Sequence, residues 1–328
     1  MKISLKKLSY IAIIACLLTV NVFALNDEDF FKAVKYFKEK NYPYFKRLAR
    51  ELIDDTSYNY QIGLMLAEVY FQEDNFDEAE SILTKLVEQY PLKAKEIRIK
   101  LERLNKEKAF LQKSIRDRSR RFEVFFSDDS KIKDSRIIEE VFSILDEAQY
   151  NAGRFFKWYP DQIIKVMLYY GDDYKDYTLL PPWSGGGFDG KIRIALNKDI
   201  KNDRLKEIIF HEYAHLAIDG LTRGNCPLWF NEGVAQYFAL KNMGSYLEKT
   251  LKPVAPQDFP KRWEGKQEKE IKELYNNALG TVLYLIRESN EYVIYDILSQ
   301  LGEGKSFKEA LNISLNYLGL NYNLLFSN

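Results

Sequence analysis

Histidine is nearly absent from this chain: there are two in 328 residues, and both fall in one pentapeptide. Cysteine is as scarce, with Cys16 and Cys226 the whole supply. That excludes a disulfide scaffold and any metal centre built on several thiolates. An excess of charge of either sign is missing too, because 48 lysines and arginines balance 48 aspartates and glutamates. Without a net positive field there is no basis for nucleic acid as a partner. Long apolar runs are confined to Leu8 to Val20, shorter than the about 20 residues of a comfortable permanent membrane span. What is plentiful is core material. The chain is 46% hydrophobic and 15% aromatic, and it is long enough for one sizeable domain with a smaller one beside it.

The first 24 residues read as an export signal. Lys2, Lys6 and Lys7 precede the apolar run, and Val22-Phe23-Ala24 supplies compact residues for cleavage after Ala24. A competing reading is lipidation at Cys16, after Ile13-Ile14-Ala15, which would tie the protein to a membrane. Against it, residues 17 to 24 stay mostly apolar. Either way the protein is expected outside the cytoplasm, in the periplasm or envelope or secreted. With cleavage after Ala24 only Cys226 remains, so no internal disulfide can form. A small buried side chain is the plain reading of that cysteine, beside a ligand or reactive thiol.

Residues 25–120 carry helical repeats. At a period of about 34, Ala33 falls over Ala67, Tyr36 over Tyr70, and Asn41-Tyr42 over Asn75-Phe76. The second copy places Leu66, Ala67, Tyr70, Ala79, Leu83, Leu86 and Pro91 at the spacings of a tetratricopeptide (TPR) repeat. Small residues let paired helices approach, and the large ones fill between neighbours. The first copy is degenerate, with Phe45 where a small residue is expected. Two repeats need a cap, and Ile97, Leu101, Leu104, Leu111 and Ile115 predict an amphipathic helix over 93–121. The basic cluster Arg116 to Arg121 then reads as its solvated end, or as a site for an anionic surface.

From residue 121 the pattern changes. Arg121 to Ser127 alternates like a strand, with Asp128-Asp129-Ser130 as a turn. A helix is expected over 135–156, then strands at 163–170 and 191–196. Beyond residue 203 everything reads as helix.

The chemistry sits in His211-Glu212-Tyr213-Ala214-His215. Residues four apart lie one above the other on a helix, so both imidazoles can reach one cation. Zinc takes such ligands and in catalytic sites keeps a position open for water, next to which Glu212 can act as base. Asn202 and Asp203 are expected to cap this helix and Gly220 to end it. The third ligand is expected from Cys226-Pro227-Leu228-Trp229-Phe230-Asn231-Glu232-Gly233-Val234-Ala235, a turn followed by a helix. Glu232 then falls in its first or second turn, and Gly233 lets the two helices come close. Against these stand two histidines merely satisfied in a core, and a Glu232 favoured at the surface by a helix N-terminus.

His-Glu-x-x-His followed by Trp-Phe-Asn-Glu-Gly-Val-Ala resembles the gluzincin zinc metallopeptidases, and most closely the peptidase MA-like domain family, over about residues 121–328. Members of that family often follow TPR repeats. The resemblance implies an α+β zincin-like domain, with a small sheet, active-site helices and a helical C-terminal part. It implies one zinc ion on His211, His215 and Glu232, with Glu212 as general base. Pro182 to Ile194 is similar to the family's glycine-rich loop and active-site edge strand, which assigns Gly186, Gly187, Lys191, Ile192 and Arg193 to substrate binding. Tyr275, in Tyr275-Asn276-Asn277-Ala278, matches the tyrosine that donates to the oxyanion, or is a packing residue. The resemblance further implies zinc lowering the pKa of its water to about 7 and Glu212 carrying the proton to the leaving amine.

The loop departs from the family's aminopeptidases in lacking their Gly-x-Met-Glu-Asn segment. Asp189 is the only acid there, as readily a turn residue before Gly190. An endopeptidase acting on a protein or peptide is therefore the expectation, with Lys191 to Leu196 adding the substrate as an extra strand and the repeats recruiting a protein partner. Two other readings stand beside it: an envelope scaffold on a weakly active or inactive peptidase shell, and a zinc hydrolase of non-peptide amides.

Overall fold

The apolar residues of the first hundred positions recur at three and four, and in the computed structural model they close into helices. The structure describes residues 27–53, 58–127, 136–181, 184–197, 200–244, 253–263, 266–317 and 319. The expected export signal, its cleavage after Ala24, the Cys16 alternative and the turn at 128–130 lie outside them, as do Pro182 and Trp183. Among the described residues, no helix is long and apolar enough to cross a membrane. Among the described residues the fold is α+β with one five-stranded sheet, and the chain divides into two compact units. Of the described residues, one unit holds those up to Ile115 together with Asp172–Pro181, and the other holds Arg116–Gly171 and those after Pro181.

The first unit consists of α1 (Asp27–Lys38), α2 (Tyr42–Leu52), α3 (Asn59–Gln72), α4 (Phe76–Gln89) and α5 (Ala94–Gln112), joined by short links. Ala33, Phe37, Phe45, Ala49, Ile62 and Met65 form one core, and Ala67, Phe71, Ala79, Leu83, Ile97 and Leu104 form the next. α3 supplies both cores, which is why every residue from Ile62 to Val69 is buried. Small side chains set the spacing, since a Cβ on Gly63 would meet the Leu86 methyls at 3.1 Å. Phe45, the oversized residue of the first copy, is fully buried edge-on against Phe37.

Two features of this unit differ from expectation. The capping helix stops at Gln112 rather than running to 121, because Ser114 Oγ donates to the Phe110 carbonyl and ends it. Ile115 and the arginines after it belong to a strand and its turn, not to a helix end. A short helix from far along the chain, α7 (Asp173–Tyr177), belongs here as well. Its Tyr177 ring lies 5.6 Å from that of Phe110, and its hydroxyl accepts from Lys113 Nζ at 3.0 Å.

The second unit opens with the sheet: β1 (Ser114–Arg118), β2 (Phe122–Ser127), β3 (Ile164–Tyr170), β4 (Gly186–Phe188) and β5 (Ile192–Leu196), in the order β1-β2-β3-β5-β4. β2, β3 and β5 run parallel, Val124 facing Val166 and Leu168 facing Ile194. Parallel neighbours need a crossover, and α6 (Ile137–Phe156) provides it between β2 and β3 through Val141, Leu145, Ala148 and Ala152. β3 is central, so Val166 to Tyr169 are all buried and the strand reads as a continuous apolar run. β4 is antiparallel to β5, Gly187 facing Arg193, with Gly190 (φ +96°) in the turn between them. This corrects the expectation for 191–196: β5 is paired on both sides, and the strand at the end of the sheet is β4.

Past residue 203 no strand occurs among the described residues, as expected, and α8 (Asn202–Thr222), α9 (Leu228–Asn242), α10 (Glu268–Glu288), α11 (Tyr292–Gly302) and α12 (Phe307–Tyr317) follow. α8 buries Leu205, Ile209, Phe210, Tyr213, Ala214 and Ala217, and it packs against α6, β4, β5, α9 and α11. Asn202 is its first helical residue, and no side chain caps its start. It runs past Gly220, which is small because the Trp158 ring lies over it, 2.2 Å from where a Cβ would sit. The left-handed Arg223 and Gly224 end it instead. Gly233 also serves a different neighbour from the one expected. A Cβ there would sit 2.6 Å from the Ala278 carbonyl oxygen, so the glycine admits α10 rather than α8.

Candidate metal centre

α8 and α9 bring three side chains to one point. Helical spacing stacks His211 and His215 one turn apart, and Pro227, in extended conformation, starts α9 so that Glu232 falls in its second turn. The two Nε2 atoms are 3.0 Å apart, and each is 3.5 Å from Glu232 Oε2. Zinc bound at about 2.0–2.1 Å in a tetrahedron sets its ligand atoms roughly 3.3–3.4 Å apart, within the span of these sides. Among the described residues this is the one group of three or more His, Cys, Asp or Glu able to hold an ion.

The hydrogen bonds leave room for a cation. Asn231 Oδ1 lies 2.7 Å from His215 Nδ1. An amide oxygen only accepts, so Nδ1 carries the proton and the Nε2 lone pair turns to the centre. Glu232 Oε2 is buried without a hydrogen-bond partner. Lone pairs converging on an orphaned carboxylate oxygen cost free energy unless a proton or metal lies among them. Two nitrogens and one carboxylate fit the donor set of catalytic zinc.

Charge follows the same geometry. Burial opposes a charged His215, but the Glu232 carboxylate, Glu212 and the Asn231 contact outweigh it and raise its pKa to about 9. Burial also works against ionised Glu232, yet the two histidines hold it well below the usual carboxylate range. The metal-free centre therefore holds a proton at neutral pH that a zinc ion bound there would have to displace. Apparent zinc affinity should rise about tenfold per pH unit from pH 6.5 and level off near pH 9, checked by chelator competition. Stability of the metal-free protein runs the other way. The raised His215 pKa stabilises it fully below about pH 6.5, and this is lost as pH climbs through about 9. Its Tm should fall over that interval. Asn231→Ala should weaken zinc binding by about 10- to 100-fold, and Asn231→Asp, which keeps an acceptor, by less.

Glu212 lies beside this triangle. It is buried, its Oε2 has no hydrogen-bond partner, and burial pushes its carboxyl up while both histidines pull it partly back. Gly186 of β4 covers it, a Cβ there falling 2.7 Å from Glu212 Oε1. Tyr275 lies on α10, its carbonyl receiving Gln236 Nε2 at 3.1 Å, one turn beyond Glu232. The other residues assigned to substrate binding separate. Gly187 is in the end strand, whereas Lys191, Ile192 and Arg193 are buried and contribute structure rather than an open surface. Arg193 Nε donates to both Asp189 carboxylate oxygens at 3.0 Å, and Nη1 lies 2.6 Å from the Tyr169 hydroxyl, which pins the β4–β5 turn. Sequence reasoning gave Asn231 no role. Its place next to Glu232 was the available signal, because that position faces the first ligand helix.

No protein-family model matches this chain, and no curated protein matches it either.

Proposed function

We propose that the protein is an exported, zinc-dependent endopeptidase of the gluzincin type. The observation that carries this reading is the meeting of three lone-pair donors, one of them an orphaned carboxylate oxygen, beside a second buried carboxylate that is not a ligand. His211, His215 and Glu232 would hold the zinc, which lowers the pKa of a water and polarises a carbonyl when bound. Glu212 takes the proton of the attacking water and delivers it to the leaving amine, work for which a raised carboxyl pKa is suited. Asn231 keeps His215 in the tautomer that offers Nε2. Tyr275 donates to the oxygen on which charge develops.

The substrate lies extended along β4, the end strand next to Glu212, which takes the place first assigned to β5. Action within a chain is favoured because Asp189, the acid in the β4–β5 turn, is held by Arg193 and is not free to grip a terminal amine. The helical unit, read as TPR-like repeats, recruits a protein partner or the substrate itself. Elemental analysis and cleavage of casein and of a peptide library test the reading. About one zinc per chain with cleavage is expected. A protein without zinc sinks the centre, and zinc without cleavage of any peptide sinks the peptidase.

A further inference from the structure

Residues 253–263, between α9 and α10, form a strap fastened to both helices. Val254 is bonded in both directions to the buried Thr281 hydroxyl of α10, with N–H to Oγ1 at 2.9 Å and Oγ1 to the carbonyl at 3.1 Å. Phe259 stacks on Trp229 of α9 with ring centres 4.6 Å apart and planes 10° from parallel. Trp263 meets Tyr275 edge to face, centres 5.3 Å apart at 90°. The fastenings fall on α9, which carries Glu232, and on α10, which carries Tyr275, the residue assigned above to the oxyanion.

Trp263 has one more property. It is only 6% exposed, yet its Nε1 has no hydrogen-bond partner. Indole nitrogen only donates, and a buried donor left unmatched is unfavourable unless an acceptor, a water or a ligand, completes it. The orphaned oxygens of Glu212 and Glu232 are acceptors, accounted for by a water proton and a metal. A donor is not matched by either in the same way, and a peptide carbonyl oxygen is its natural complement.

We propose that Trp263 is a substrate-binding residue whose Nε1–H donates to a backbone carbonyl of the bound peptide, its ring serving as the wall against which Tyr275 is set. This rests on the peptidase reading and assigns one contact within it. The acceptor is main chain, so the contact recognises any peptide in extended form and sets affinity without choosing a side chain. Trp263 and Tyr275 then act on different steps: one holds the substrate, the other meets the charge that forms.

The test compares Trp263→Phe, which keeps an aromatic ring against Tyr275 and removes the N–H, with Tyr275→Phe, using a casein peptide that the wild type cleaves. Both variants should retain wild-type zinc content. Trp263→Phe is expected to raise KM roughly three- to tenfold with a much smaller change in kcat, and Tyr275→Phe to lower kcat with KM held. A readout that needs no turnover accompanies it. The four tryptophans should give four indole N–H signals in zinc-loaded Glu212→Gln, and the one lost in Trp263→Phe should move downfield on adding the same peptide. An unchanged KM in Trp263→Phe, or a Trp263 signal that stays in place while the peptide binds, overturns the assignment and leaves the peptidase reading intact. Zinc-loaded wild type that cleaves nothing removes the peptidase reading, and this inference with it.

Discussion

Glu212→Gln is expected to keep zinc at about one per chain and to lower peptide cleavage by about 10²- to 10⁴-fold. Glutamine has the shape of glutamate, so the contacts under Gly186 and among α8's neighbours persist and the fold has no reason to change. Glu212 is not one of the three side chains that could hold an ion, so metal affinity has no reason to change either. What disappears is the buried carboxylate beside the centre that the proposed mechanism uses to accept a proton from water and return it to an amine. The control is His215→Gln, which removes an Nε2 donor and should lose zinc and activity together. Zinc content by elemental analysis and kcat/KM on one casein peptide separate the two variants. Equal activity in Glu212→Gln and wild type would remove Glu212 from the chemistry, whatever the metal content.

The candidate centre of this chain is legible from its sequence in proportion to how local its geometry is. His211 and His215 meet because four residues make one helical turn, and no tertiary information is needed to see it. Glu232 required one inference more, a turn at Pro227 and a returning helix, and the spacing carried it. Strand and helix identities after 121 were readable from periods of two and of three to four. Strand order was not. The resemblance made the strand after the glycine-rich loop an edge, but that loop itself forms β4 and takes the edge. Lys191 and Arg193 look like surface residues by type, and burial of Arg193 becomes intelligible only with Asp189 and Tyr169 around it. The helix expected to 121 failed at Ser114, where a single hydroxyl bond to Phe110 competes with a stripe that otherwise continues through Ile115. α7 could not be found at all, because its partners Phe110 and Lys113 lie more than half a hundred residues earlier. Glycines were the most deceptive signal. Gly220 reads as a helix end and Gly233 as a seat for α8, yet each is small for a neighbour that sequence does not reveal, Trp158 in one case and the Ala278 carbonyl in the other.

Gly186→Ala is the sharpest consequence of that packing. A methyl on Gly186 would lie 2.7 Å from Glu212 Oε1, 3.1 Å from its Cγ and 2.9 Å from Ile208 Cγ2, so something must move. The backbone of β4 is held in register with β5, Gly186 opposite Ile194, and yields least. Ile208 belongs to the packed core of α8 and can give only slightly. The Glu212 carboxylate is the free end of a flexible side chain, so it is the group that turns aside. The cost in stability should therefore be small, about 1 kcal/mol, as for modest overpacking. The cost in activity should not be, because displacing a reacting group by about 1 Å is worth about 10²-fold. Gly186→Ala should thus unfold close to wild type, bind zinc as wild type does, and lose about 10²-fold in kcat. The double variant with Glu212→Gln should be little slower than Glu212→Gln alone, since both act through one carboxylate. Independent losses that multiply would mean that Gly186 serves the substrate directly, as the end strand of the sheet also could, and would shift its role from seating the base to receiving the peptide.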